Sequence, residues 1–192
     1  MVRDYSDSDE TSVRRIGDAI DGTAFFPGGH GLWRGMTAHG PLPETFPDQP
    51  VMIVGHNFAK VTDYERWQKR GIELVRGTTW AKLREYLEVA QLAAEECFFT
   101  NALMGLQPHK ALGALKTTDL FRSECRCFLA EQISIVQPRL IVALGPVARA
   151  DLAEISSKVP ILSLMHPYAT IRHPRLPAKQ GRLLKEQLRR LT

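Results

Sequence analysis

The stretch VMIVGHNFA, residues 51–59, decides the fold prediction, because four apolar residues run without a break into Gly-His-Asn. Such a run is typical of a parallel strand that is buried on both faces, and the polar residues that follow it then lie at the carboxyl end of the strand. Open α/β sheets bind their ligands at that edge. The stretch therefore predicts a central strand with a functional site at its carboxyl end.

Three later segments repeat this arrangement of an apolar run that ends in glycine or a polar residue. They are residues 97–102, 140–145 and 161–167. If these strands lie parallel in one sheet, their carboxyl ends share an edge. We therefore expect the side chains of Asn57, Asn101 and His166 to converge on one crevice.

Helical patterns separate the predicted strands. Apolar residues recur near a 3.6-residue period in 80–94, 118–136 and 146–155, and 176–191 is amphipathic with a basic polar face. The alternation predicts an α/β fold: a three-layer sandwich in which helices flank a central, mostly parallel, four-stranded sheet. Residues 1–192 form one predicted domain, whose segment 1–20 is partly flexible with a possible first helix over 11–20.

Composition restricts the class of protein. A formal net charge of +4 permits nucleic acid as a partner without requiring it, and no apolar run approaches the ~20 residues of a membrane span. We expect a cytoplasmic protein. Its three cysteines contain no Cys-x-x-Cys pair, which argues against a disulfide framework and a zinc site, so we expect reduced thiols and no metal or other cofactor.

An ordered set of short motifs carries a family resemblance. The set is Gly55-His-Asn57, Thr100-Asn101, the run 138–145 and His166-Pro167-Tyr168. Over about residues 50–175 it resembles the uracil-DNA glycosylase superfamily. Each motif is weak alone, but their order, spacing and shared place at strand ends are moderately specific. The resemblance implies a monomeric DNA repair enzyme that flips uracil or a related damaged base out of DNA and hydrolyses its N-glycosidic bond.

The resemblance assigns catalytic roles to Asn57 and His166. The neutral imidazole of His166 would donate a hydrogen bond to the uracil oxygen as negative charge gathers there. The carboxamide of Asn57 would orient the attacking water, although an amide cannot act as a general base at neutral pH. The alternatives are a histidine packed at a strand end and an asparagine that only forms a turn.

The same resemblance implies residues that hold the base. Gly55, His56 and Phe58 belong to the first motif, beside the base. The carboxamide of Asn101 would pair with the uracil edge and so distinguish uracil from cytosine, or it would only bond its own backbone. Phe58 or Trp80 would stack on the flipped base, with packing in the core as the alternative for both and the slightly favoured one for Trp80.

The segment after His166 is placed where the family carries the loop that enters the duplex. Tyr168, Ile171, Arg172 and Arg175 are the DNA-binding candidates, with Ile171 or Arg172 as the group that fills the gap left by the flipped base. A surface loop without that duty is the alternative. Further basic residues follow along the last predicted helix and favour contact with phosphates.

Departures from the family pattern leave other functions open. Cys125 stands where an iron–sulfur branch has a cluster ligand, but the other ligands are missing, so we expect a divergent member without a cluster. Phe58 replaces a proline of the first motif, and Tyr168 replaces a serine of the last. One alternative is a weak or inactive member that binds nucleic acid or a free base. A second alternative is a hydrolase or transferase of small metabolites on the same fold.

Overall fold

The fold is built on four parallel strands. The computed structural model describes residues 14–15, 30–31, 48–60, 78–107, 118–171 and 173–191. The strands are β1 (Arg14–Arg15), β2 (His30–Gly31), β3 (Val51–Lys60), β4 (Cys97–Gln107), β5 (Leu140–Leu144) and β6 (Ile161–Leu164). The helices are α1 (Thr78–Ala90), α2 (Asp119–Val136), α3 (Pro146–Ala153) and α4 (Leu176–Arg189), with short 3-10 turns at Ala94–Glu96 and Pro167–Thr170.

The order of the strands places a crevice beside β3. The long strands run β4-β3-β5-β6 and are all parallel, while β1 and β2 pair with the outer edge of β4. The chain first proceeds from β3 to β4 on one side and later returns to β5 on the other. Sheets with this change of direction open a crevice at the carboxyl ends of the two strands that flank it. Here those strands are β3 and β5.

Both faces of the sheet are buried, which explains the unbroken apolar run in β3. Val51 and Ile53 pack with Tyr86 of α1 and Leu184 of α4, whereas the alternate residues pack against α2 and α3. Neighbouring residues of a strand point to opposite faces, so a strand covered by helices on both sides needs apolar residues throughout. Each fully buried aliphatic side chain contributes about 1.5–3 kcal/mol. The predicted three-layer α/β sandwich is confirmed.

β3 and β4 continue beyond their predicted ends. Their ladder extends through the pair Lys60 and Gln107, with a register shift between Asn57 and Ala59. The prediction ended the second strand at residue 102 and assigned a loop from residue 103, which is wrong. The prediction fails because it ends the strand at the polar Asn101, although apolar residues resume at Leu103, Met104 and Leu106. With this extension, His56 and Asn57 lie within β3.

Two short segments pair with the outer edge of β4. Arg14–Arg15 pairs antiparallel with Gly105 and Leu106, so the helix predicted over 11–20 is wrong at these two residues. His30–Gly31, in the glycine-rich region, pairs parallel with Phe98 and Phe99. An open edge presents unpaired backbone N–H and C=O groups, and a passing segment satisfies them whatever its helical propensity. The other residues of 11–20 lie outside the described residues.

The helix ends follow local chemistry. The hydroxyl of Thr118 accepts a hydrogen bond from the backbone N–H of Phe121 at 3.2 Å and caps α2, as predicted. α2 ends before Pro138, with Gln137 in the left-handed region, and α3 begins with Pro146 at its first position. Thr78 and Thr79, which the sequence offers as caps for α1, both lie inside that helix, so this prediction is wrong. No helix within the described ranges is long and apolar enough to cross a membrane.

Candidate functional site

Gly55 and Asn101 lie side by side at the carboxyl end of the sheet. They are register partners in β3 and β4, and Asn101 is buried with 6% of its surface exposed. A Cβ atom at position 55 would collide with the Oδ1 atom of Asn101. Glycine at this position therefore leaves the space that the carboxamide of Asn101 occupies.

His166 is seated against Gly145 at the end of β5. Gly145 has a φ of +90° and a ψ of 179°, a conformation that is essentially restricted to glycine. A Cβ atom there would lie 3.0 Å from the Cβ atom of His166. The backbone N–H of Gly145 also donates to the carbonyl of Leu164 at 2.8 Å, which ties the end of β5 to the end of β6. The glycine thus lets the His166 backbone approach β5 closely.

The hydrogen bonding of His166 defines which ring nitrogen carries its proton. Nδ1 accepts a hydrogen bond from the backbone N–H of Tyr168 at 3.2 Å. A neutral imidazole has one donor and one acceptor nitrogen, so the proton lies on Nε2. Burial and, as the smaller cause, the neighbouring imidazole of His56 together lower the pKa of His166 to about 4. At neutral pH the side chain is therefore an uncharged hydrogen-bond donor through Nε2.

Two helices fix the backbone immediately before His166. The hydroxyl of Tyr86, on α1, donates to the carbonyl of Met165 at 3.2 Å. The side-chain oxygen of Gln180, on α4, accepts from the N–H of Met165 at 2.9 Å. After His166, the buried hydroxyl of Thr170 donates to the carbonyl of Pro167 at 2.7 Å. The position of the imidazole is thus set by contacts on both sides of it.

His56 joins this crevice to a buried ion pair. Arg122 of α2 donates two hydrogen bonds to Asp151 of α3, at 2.7 Å and 3.2 Å, and the Asp151 side chain is only 2% exposed. The pKa of His56 is lowered, first by burial and then by the positive charge of Arg122, while the negative charge of Asp151 opposes the shift. His56 is therefore also neutral at pH 7. It interacts electrostatically with both members of the ion pair and with His166.

The structure brings some predicted residues together. Gly55 contacts Asn101, His166 packs against the end of β5, and His56 interacts electrostatically with His166. Asn57 follows His56 in β3, pairs with Leu103 in register and is half-buried. All of these residues lie on the carboxyl-terminal side of the parallel strands, which is the edge that the sequence predicts for the site.

The aromatic and DNA-binding candidates lie in different surroundings. The ring of Trp80 packs edge to face on Phe99, with ring centroids 6.2 Å apart, and borders the core on the α1 side. Tyr168 is 68% exposed, whereas Ile171 is half-buried at the end of the 3-10 turn. Arg175 is exposed. The side chain of Phe58 and residue Arg172 fall outside the described residues.

Several residues that shape the site gave no signal in the sequence. Arg122 and Asp151 are 29 residues apart on two different helices, and only tertiary packing brings them to His56. In the sequence, Gln180 cannot be distinguished from the other polar residues of an amphipathic helix. Its burial at 5% and its bond to the Met165 backbone show that it supports the His166 turn.

The cysteines have surroundings of different kinds. Cys125 is buried beside Leu103 and Phe121, as the packing interpretation expects, and Cys97 is buried at the start of β4. Burial raises the pKa of Cys97, which keeps that thiol protonated. Cys127 is exposed. Among the residues that the structure describes, no group of three or more His, Cys, Asp or Glu side chains is placed to hold a metal ion.

The parallel strands with helices on both faces define a doubly wound α/β protein, whose topological switch point lies between β3 and β5. The sequence model of the Uracil DNA glycosylase superfamily matches residues 42–192, and the chain belongs to that superfamily. The resemblance seen in the motifs is thereby confirmed. A comparison with curated proteins finds no match.

Proposed function

We propose that the protein hydrolyses the N-glycosidic bond that joins uracil, or a related damaged base, to deoxyribose in DNA. The observation that carries this proposal is the state of His166. Its imidazole is neutral, with a pKa of about 4, and its Nδ1 atom is occupied by the N–H of Tyr168. The Nε2–H group is left to donate a hydrogen bond at the carboxyl edge of the sheet, where open α/β sheets bind their ligands, and membership of the superfamily supports a base in DNA as that ligand.

A neutral donor suits the chemistry of this reaction. Cleavage passes through an oxocarbenium-like state, in which electrons from the broken C–N bond collect on the departing base. A fixed N–H aimed at the base oxygen stabilises that charge, and a single preorganised donor of this kind contributes on the order of 100-fold to 1,000-fold in rate. Because the pKa of His166 is low, the ring holds its uncharged donor state across the neutral range.

Asn57 and Asn101 serve the other two needs of the reaction in this proposal. The carboxamide of Asn57 orients the water that attacks the sugar carbon. The buried carboxamide of Asn101, held beside Gly55, offers both a donor and an acceptor to the edge of the base. Uracil and cytosine present opposite hydrogen-bond polarity at the position where they differ, so a fixed carboxamide discriminates between them.

Tyr168 is the strongest candidate for contact with bases outside the crevice. Its ring is 68% exposed and follows His166 by two residues, whereas Ile171 is half-buried. An exposed aromatic ring stacks on any base and contributes about 1–3 kcal/mol. In this proposal Tyr168, rather than Ile171, takes the place of the base that has left the stack.

The test is a panel of oligonucleotides, each with one altered base, treated with alkali after incubation to cleave at abasic sites. The variant His166→Asn is well suited, because an asparagine oxygen still accepts from the N–H of residue 168 while the Nε2 donor is lost. We expect excision of uracil by the wild type and a loss on the order of 100-fold to 1,000-fold in this variant. Asn57→Ala should lose on the order of 100-fold through a poorly placed water.

The alternatives predict different results from the same panel. An inactive member binds the oligonucleotides but leaves every altered base in place. A small-metabolite enzyme shows neither excision nor a salt-dependent affinity for DNA, because it makes no phosphate contacts.

A further inference from the structure

The exposed face of α4 carries a row of cations close to the His166 turn. Arg175, directly before the helix, and Lys179 and Arg182 within it are all exposed. Their spacing of four and then three residues places them on one side of the helix. The residues that α4 buries lie on the opposite side; they are Pro177, Gln180, Gly181 and Leu184.

Within the part of the chain that the structure describes, no carboxylate pairs with this cationic row. None of the three side chains forms an ion pair with another residue of the described ranges. The next position on the same face is Glu186, which pairs with Arg190 at 2.5 Å. On this face of α4, the cations without a carboxylate partner among the described residues therefore lie in the half that is closer to His166.

The stability of α4 does not account for this placement. Cations near the amino-terminal end of a helix oppose the helix dipole, at a cost of about 0.3–1 kcal/mol each when exposed. The first turn of α4 contains no acidic residue that would compensate. The row therefore has the charge expected of a surface that meets an anionic partner.

Contacts of α4 fix the position of the cationic row relative to the candidate site. Gln180 lies between Lys179 and Arg182 in sequence, and it accepts the hydrogen bond from Met165, the residue before His166. Gly181 lets α4 approach α1 closely, since a Cβ atom there would lie 2.6 Å from the Cβ atom of Val89. These contacts fix the direction of the row relative to the crevice.

We infer that the cationic row of Arg175, Lys179 and Arg182 follows the sugar–phosphate backbone of the nucleic acid strand next to the base held at His166. The inference rests on the proposed function. Seven residues of helix advance by about 10 Å, which is enough for two or three successive phosphates of one strand. A linear polyanion matches a linear row of cations better than the mixed charges of a typical protein surface do.

The test is the salt dependence of binding to a labelled single-stranded oligonucleotide without uracil, measured by fluorescence anisotropy. Each phosphate contact contributes about 0.7–0.9 to the slope of log K against log salt. The triple variant Arg175→Gln, Lys179→Gln, Arg182→Gln should therefore have a slope that is smaller by about 2–3. Between about 50 and 200 mM salt, the wild type should lose roughly 20-fold to 40-fold more affinity than this variant.

Matched variants separate local contact from net charge. Lys158 is exposed in the segment that precedes β6, so it lies at the amino-terminal end of that strand, whereas His166 follows its carboxyl end. Lys158→Gln removes the same charge as Arg182→Gln and should leave the slope unchanged. The double variant Glu186→Gln, Arg190→Gln keeps the net charge and should also behave as the wild type does.

Failure of the inference and failure of the proposed function have different signatures. His166→Asn should lose excision and keep the wild-type salt slope. If the wild type excises no base, the proposed function fails, and the salt slopes still report on the row. Equal slopes in the wild type and the triple variant overturn the inference and leave the row to an acidic protein surface or to solvent.

Discussion

Acid should protonate His166 only near pH 4 and should destabilise the protein before it does so. The ordinary pKa of the group is 6.5, and in the folded protein it is about 4. At about 1.4 kcal/mol for each pH unit, this difference amounts to about 3 kcal/mol between the two protonation states. The ring is partly accessible to solvent, so we expect an effect of about 2–3 kcal/mol on unfolding.

The direction of the effect follows from proton uptake. Between pH 6.5 and about 4 the unfolded chain binds a proton at this position and the folded protein does not. The free energy of unfolding therefore falls as the pH is lowered through that range. The contribution is fully present above pH 6.5 and is lost near the folded pKa.

The assay is urea unfolding at pH 7 and at pH 4.5, with the wild type and His166→Asn compared at each pH. Carboxylates also titrate in this range, but they are common to both proteins, so the comparison isolates the imidazole. The wild type should lose about 2–3 kcal/mol more than the variant. The exposed His173 supplies a control, because His173→Gln removes an imidazole away from the crevice and should follow the wild-type curve.

A nuclear magnetic resonance titration of the His166 ring measures the same quantity directly. His56→Gln should raise the pKa of His166 by only part of the difference, since burial is the first cause of the low value and the His56 charge the second. A His166 pKa near 6.5, together with parallel pH profiles for the wild type and His166→Asn, would refute the reasoning, because the ring would then not be held neutral.

Three substitutions test how the fold positions the site. Gly145→Ala should cost about 1–3 kcal/mol and abolish excision, because it strains the backbone and adds an atom 3.0 Å from the Cβ atom of His166; thermal unfolding and excision assays measure both. Gly55→Ala should displace the carboxamide of Asn101 and weaken discrimination between uracil and cytosine, measured as the ratio of their excision rates. Asp151→Asn should lower the free energy of unfolding by about 2–3 kcal/mol, since it leaves the two arginines beside it without their buried carboxylate.

The sequence predicts the layers of this fold well. The apolar runs of β3 and β5 require burial on both faces, and Thr118 and Pro146 mark helix starts by chemistry that acts locally. The extension of β3 and β4 was missed because polar residues interrupt the apolar runs, His56 and Asn57 in β3 and Asn101 in β4, while backbone pairing continues past them. Arg14–Arg15 forms a strand because it pairs with the open edge of β4, and this tertiary contact cannot be seen in the local sequence.

The candidate site also has some features that the sequence predicts and others that it does not. His166 and Asn101 are predicted from the polar ends of apolar runs, since parallel strands share one carboxyl edge, although Asn101 lies inside the longer β4. The state of the His166 ring does not follow, because it depends on the N–H of Tyr168 and on burial by residues distant in sequence. The ion pair of Arg122 and Asp151 is invisible for the same reason: each residue alone reads as a charge on an amphipathic helix.

In the proposed function, the Nε2–H group of His166 stabilises the departing base. The most direct test of this role varies the leaving group. Single-turnover excision from DNA is compared for uracil and for 5-fluorouracil, a more acidic base that departs with less help, in the wild type and in His166→Asn. We expect the substitution to slow uracil excision on the order of 100-fold to 1,000-fold and to slow 5-fluorouracil excision by a factor at least about tenfold smaller. An equal loss for both bases, or no loss for either, would contradict this role.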